Sequence, residues 1–111
     1  MDRERALSLL ESERRRVLAL LEETAEDAEE DRAAANEPGD LSDPAERLTA
    51  EAGDDAVAGE LRDRLAALDR AERRLADGTY GYSTRSGAPI PDERLEADPA
   101  AELTVDEELE T

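Results

Sequence analysis

Along the first part of the chain Leu7, Leu10, Arg14, Val17, Leu21, Thr24 and Ala28 follow one another at alternating steps of three and four. That spacing is the seam of a coiled coil, interrupted once by Arg14. Leu9, Leu18 and Leu20 widen the apolar face at first. Beyond them the segment offers mainly alanine and an acidic run formed by Glu22, Glu23, Glu26, Asp27, Glu29, Glu30 and Asp31, so packing is expected to weaken toward residue 35. A second segment, residues 44 to 76, repeats the pattern with Ala58, Leu61, Leu65, Leu68 and Leu75; Ala71 stands beside the polar Glu72, which holds the remaining seam position. Each segment is about 33 residues, or about 50 Å at 1.5 Å per residue. An antiparallel hairpin therefore aligns them end to end, with residues whose numbers sum to about 78 facing each other. This sets Val17 near Leu61, Leu10 near Leu68 and Leu21 near Ala58.

The join between the segments, residues 36 to 48, is predicted to be the tip of the hairpin. Pro38 and Gly39 stop the first helix, because proline cannot donate to the ladder and glycine tolerates the left-handed exit. Asp43 is a good N-cap, Pro44 suits the first helical position, and Glu46 at N3 completes a capping box. Glu37, Asp40, Asp43 and Glu46 thus gather at the bend with only Arg47 to offset them. Gly53 and Gly59 lie inside the second helix around Asp54 and Asp55; the pair reads either as tolerated surface glycines or as a hinge.

After Gly78 the periodicity changes. Residues 79 to 90 show the alternation and the Ser86–Gly87 turn of a short hairpin. Arg94 to Ala97 form one short element, Asp98–Pro99 breaks it, and residues 100 to 109 are expected to form a last amphipathic helix with Leu103 and Leu109 inward. The division is therefore residues 1 to 77 as a coiled-coil hairpin and 78 to 111 as a small lobe. The lobe's few aliphatics and its tyrosines, Tyr80 and Tyr82, are too few for stability away from the helices.

Composition sharpens this picture. Of 111 residues 41% are charged and 2% aromatic, with no Phe or Trp, so any core is aliphatic and thin. The net charge of −18 argues against direct binding to DNA or an anionic membrane and favours a basic partner surface. All 14 basic residues are Arg, a bias attributed to genome composition, with a salt-adapted acidic surface as the alternative. Absence of cysteine rules out disulfides and thiolate metal sites. No apolar run approaches 18 residues and no apolar signal follows Met1, which leads us to expect a cytoplasmic, unexported monomer. Catalysis finds no support, since the chain has neither His nor Cys and its serines have no base to activate them. Asp43 and Glu46 serve first as helix caps; a share in a magnesium ion held mainly by another protein is the alternative.

The lobe resembles that of the DksA/TraR proteins, RNA polymerase-binding factors built from a coiled-coil hairpin and a four-cysteine zinc finger. Gly78, Tyr80, Gly81, Ser83, Ser86, Gly87, Ile90, Arg94, Leu95, Ala97, Pro99, Ala101 and Leu103 fall at the family's spacing, and Asp43–Pro44 with Arg47 matches its tip. The resemblance implies a mainly α fold and a transcription regulator whose tip enters the secondary channel of RNA polymerase, often together with the nucleotide ppGpp. Its partner-binding positions map to Asp43, Glu46 and Leu48, with Asp40 beside them. Only Asp43 keeps the family residue, since Glu46 replaces an aspartate and Leu48 an alanine.

The four positions where the family carries zinc-binding cysteines are Ser83, Ser86, Thr104 and Glu107 here. Hydroxyls stay protonated near neutral pH and bind zinc poorly, and one carboxylate cannot hold a structural site. The lobe is therefore expected to be a metal-free remnant of the finger. The competing function is an acidic coiled-coil interaction protein that has lost polymerase regulation.

Overall fold

Asp2 starts the first helix. Its Oδ1 accepts from the Arg5 amide at 2.8 Å and its carbonyl from the Ala6 amide at 3.0 Å, an N-cap that the apolar pattern does not announce. The structure, a computed structural model, describes residues 1 to 35 and 44 to 110, the stretches 28 to 35 and 44 to 54 by their backbone. Four helices follow in order: α1 at Arg3–Ala35, α2 at Pro44–Asp77, α3 at Asp92–Ala97 and α4 at Val105–Leu109. The fold is mainly α, a hairpin of two long antiparallel helices followed by a small lobe. The bend expected at residues 36 to 43 lies outside the described residues. Pro44 opens α2, as its missing donor predicts.

The chain divides into two compact units, Met1–Arg15 with Leu65–Thr111, and Arg16–Arg64. Each apolar pair expected across the hairpin falls within one unit. Leu10 and Leu68 belong to the first and are both fully buried, with Ala6 and Ala71. In the second unit Val17 is fully buried, while Leu21, Ala58 and Leu61 are half-buried. Thr24 is satisfied by its own helix, its hydroxyl donating to the Leu20 carbonyl at 2.8 Å.

Several seam positions differ from expectation. Leu7 is 42% exposed and Ala6 takes its place. Both are one turn from Leu10, so periodicity does not choose between them; the small Ala6 is the one fully buried, and the bulkier Leu7 is left at the rim. Leu65 and Leu75 are half-buried rather than core. The helical register also runs further along α2 than equal lengths imply, since Arg14 pairs with Asp69 and Glu72 instead of the region of residue 64. α2 passes unbroken through Gly53 and Gly59, and a Cβ at Gly59 would meet nothing within 4 Å.

Gly78 ends α2 as expected. Its φ of 82° lets the Thr79 amide donate to the Arg74 carbonyl at 2.9 Å and its own amide to the Leu75 carbonyl at 3.3 Å, a Schellman motif. The expected short hairpin then forms with a single antiparallel bridge, Tyr82 to Pro89, flanked by Ser83 N to Ala88 O at 2.8 Å and Ile90 N to Gly81 O at 2.8 Å. Gly87, with φ of 75°, closes its turn.

Ile90, Leu95 of α3 and Ala101 form the lobe core, against which Met1 and Tyr80 pack. The Tyr80 hydroxyl donates to the Pro99 carbonyl at 2.8 Å. Glu102 ties this lobe to α2, accepting from Arg70 Nε at 2.7 Å and Arg74 Nη1 at 3.5 Å. The last helix is shorter than the sequence pattern implies. Pro99, Ala100 and Ala101 are buried in extended or turn conformation, helix α4 begins only after Thr104, and Leu109 is 80% exposed instead of inward. Five residues make little more than one turn, too little for Leu109 to fold back onto the core.

Candidate functional site

Two sets of residues were singled out by the sequence, and they fare differently. Of the tip positions, Asp40 and Asp43 lie outside the described residues. Glu46 and Leu48 lie in the opening turns of α2, which is described there by its backbone. Helix α2 thus begins where a cap at Asp43 would start it.

The second set, Ser83, Ser86, Thr104 and Glu107, comes together. Ser83 sits at the end of the first extended stretch of the lobe hairpin and is 5% exposed. Because the chain turns immediately after it, the amides of Arg85 and Ser86 point back at its oxygen, donating to Oγ at 3.1 and 3.2 Å. Both lone pairs are then engaged. The Ser83 proton is left to donate, and it goes to Glu107 Oε2 at 2.8 Å.

Glu107 is presented by α4. Thr104 is its N-cap, and the two residues form a capping box in which the Glu107 amide donates to Thr104 Oγ1 at 3.3 Å and the Thr104 amide to Glu107 Oε1 at 3.1 Å. Each carboxylate oxygen therefore accepts a hydrogen bond from a different segment. These bonds hold the Glu107 carboxyl below its ordinary range, the Ser83 hydroxyl contributing most, with desolvation opposing and Thr104 and Ser86 adding. Ser86 Oγ accepts from the Ala88 amide at 3.2 Å. Arg85 Nη1 donates to the Glu107 carbonyl at 3.3 Å.

This donor set does not fit a structural zinc ion. Three of the four positions offer neutral hydroxyls, and the geometry has already committed the Ser83 lone pairs to amides and both Glu107 oxygens to donors. Among the described residues no group of three or more His, Cys, Asp or Glu side chains is arranged to hold a metal.

Sequence reasoning missed the bond between Ser83 and Glu107 and the interplay around it. Part of the signal was present: Thr104-Val-Asp-Glu107 is a capping-box sequence in its own right. It missed Arg94 as well. That residue, in α3, donates from Nε to the Leu103 carbonyl at 3.0 Å and pairs with Glu108 at 2.6 Å, fastening α3 to α4. Burial pushes the Tyr80 phenol up to about 12, with Asp98 adding and Arg74 opposing.

No family model matches the chain. It is similar to the RNA polymerase-binding transcription factor DksA of Caulobacter vibrioides, with 41% identity over 69 residues, 59% of this chain and 48% of that protein. It is also similar to General stress protein 16O of Bacillus subtilis, with 47% identity over 45 residues, 40% of this chain and 28% of that protein. The match thus spans about half the length of the Caulobacter protein and less of the Bacillus one. Among solved structures, transcription factor DksA2 from Pseudomonas aeruginosa superposes with a TM-score of 0.80 at 26% identity, covering 97% of this chain and 81% of that one. A helical hairpin and a lobe whose four finger positions meet in space thus go together with likeness to DksA proteins, over 59% of this cysteine-free chain in sequence and over 97% of it in fold.

Proposed function

We propose that the chain is a transcription regulator that binds RNA polymerase, reaching into the enzyme's secondary channel with the acidic stretch between α1 and α2. The likeness to DksA2 over 97% of the chain carries this reading, because it extends to both long helices and the lobe. The Caulobacter relative, matched over 69 residues, is itself an RNA polymerase-binding transcription factor. Charge supports it physically. A chain of net charge −18, with Glu37, Asp40, Asp43 and Glu46 in and around the connection, is attracted toward a channel lined with positive charge and repelled by bare DNA. The protein acts by binding, as a monomer and without catalysis of its own.

The test is binding to core RNA polymerase at two salt concentrations. The parent chain should bind, and reversing the charges with Asp43→Lys and Glu46→Lys should abolish both binding and any effect on transcription. Affinity of the parent should fall as salt rises, because the attraction is long-ranged. Asp43→Asn separates a cap from a contact. Asparagine caps a helix about as well as aspartate, so stability should stay within about 0.5 kcal/mol while regulation is lost. A parent chain that does not bind core polymerase even at low salt would end this reading in favour of an acidic interaction protein with another basic partner.

A further inference from the structure

We propose that Glu107 takes over the work of a metal ion in this lobe: its carboxylate is the cross-link that holds the Ser83 turn and the start of α4 together, so the lobe closes without zinc. The inference rests on the mismatch between the family's thiolate site and the donor set present here, and it is independent of polymerase binding.

The physical requirement is general. A metal finger is held closed by an ion that draws ligands from two separate chain segments to one point. Here those segments are the turn at Ser83 to Ser86 and the cap at Thr104 to Glu107. The ion's place requires a group that satisfies both at once, and a carboxylate with two acceptor oxygens does so. Oε2 receives the Ser83 hydroxyl at 2.8 Å and Oε1 the Thr104 amide at 3.1 Å. The hydroxyls are equally specific. Ser83 Oγ receives the two turn amides at 3.1 and 3.2 Å and passes its single proton to the carboxylate. Every polar atom in this chain of bonds has a partner, which is the condition for a half-buried network to hold rather than weaken a fold. Arg85 adds a second strand by donating to the Glu107 carbonyl at 3.3 Å.

Glutamine at 107 is the sharp test because it changes one atom and not the shape. Whichever way its amide is turned, one end becomes a donor. If that end faces Ser83, it meets an oxygen whose lone pairs are already used; if it faces Thr104, it meets a backbone donor. One of the two bonds is lost. In Glu107→Gln, exchange of the Arg85 and Ser86 amides should quicken on the order of tenfold, and the lobe should melt earlier than in the parent. Thr104→Ser, which keeps the capping hydroxyl, should leave both unchanged.

The same preparation should contain no stoichiometric zinc by metal analysis, and neither a chelator nor added zinc should shift the parent's melting. Changing Ser83, Ser86, Thr104 and Glu107 to Cys together should restore a site: one zinc per chain, with cobalt giving the absorption of tetrahedral thiolate, and melting that now falls with chelator. Unchanged exchange and melting in Glu107→Gln would overturn the proposal. So would one zinc per purified parent chain with melting that falls on chelation, or a four-cysteine variant that folds yet takes up no metal.

Discussion

The two compact units of this chain differ in how completely their described side chains are buried. The unit formed by Met1–Arg15 and Leu65–Thr111 buries Leu10, Leu68 and Leu95 completely and surrounds them with directed polar contacts: the Schellman turn at Gly78, Glu102 on Arg70 and Arg74, Tyr80 on Pro99, and the carboxylate bridge of Glu107. The unit formed by Arg16–Arg64 buries only Val17 completely among its described side chains, and leaves Leu18 and Val57 nearly half exposed. The first is specified by hydrogen-bond geometry as well as area; among the described side chains of the second, burial is mostly partial. The lesson concerns where change is tolerated. A carbon or an oxygen removed from the first unit leaves a cavity or an unpaired group, whereas the described side chains of the second, Val17 apart, have less packing to lose.

The largest effect should come from the seam. Leu68→Ala is expected to cost about 2 to 5 kcal/mol, since the side chain is fully buried, while the half-buried Leu61→Ala should cost less than half as much. Thermal or denaturant unfolding of both variants checks the contrast. Equal losses would mean that the two units are packed alike.

Next comes pH, which should act on the first unit from both sides. Tyr80 has its phenol raised to about 12 by burial, so the folded state favours the proton. Its stabilising contribution is complete below the unfolded value near 10 and is lost as pH rises through about 12. Glu107 has its carboxyl lowered, so its contribution is present above the ordinary carboxylate value and lost as pH falls through the folded one. Tyr80→Phe should flatten the alkaline limb and Glu107→Gln the acid limb of melting against pH. An acid limb identical in the parent and Glu107→Gln would show that the bridge carries no linkage.

The smallest effect should be a gain. Gly59 is helical, and a Cβ there meets nothing within 4 Å, so Gly59→Ala should stabilise by about 0.5 to 1 kcal/mol. Circular dichroism during melting would register it. A loss of stability, or a loss of regulation with stability gained, would revive the hinge reading of the glycine pair.

Much of this was legible beforehand, though some of it only in fragments. Arg14 and Glu72 each read as a flaw in an otherwise apolar seam, yet they are one feature: Arg14 Nε donates to Glu72 Oε1 at 3.1 Å, and Asp69 takes the other end of the guanidinium. Two polar interruptions in facing stripes are a pairing signal, and they also report the register more directly than helix length does. Leu7 and Leu109 show the opposite failure. Both fit a helical period, but a period says which residues share a face and not how far the face is covered.

Helix type, the two long segments, their stop at Gly78 and their start at Pro44 follow from the sequence alone, because caps, proline, glycine and a 3.6-residue period act within a few residues of each other. So does the absence of thiolate chemistry, a matter of composition. What only the tertiary structure decided is which distant groups meet: Ser83 with Glu107, Arg70 and Arg74 with Glu102, Arg94 with Leu103 and Glu108, and Ala6 in place of Leu7. Hydrogen bonds demand that donor and acceptor lie within about 3 Å and in line. Segments brought together across 24 or 32 residues meet that demand only after the chain has packed, and no local pattern encodes it.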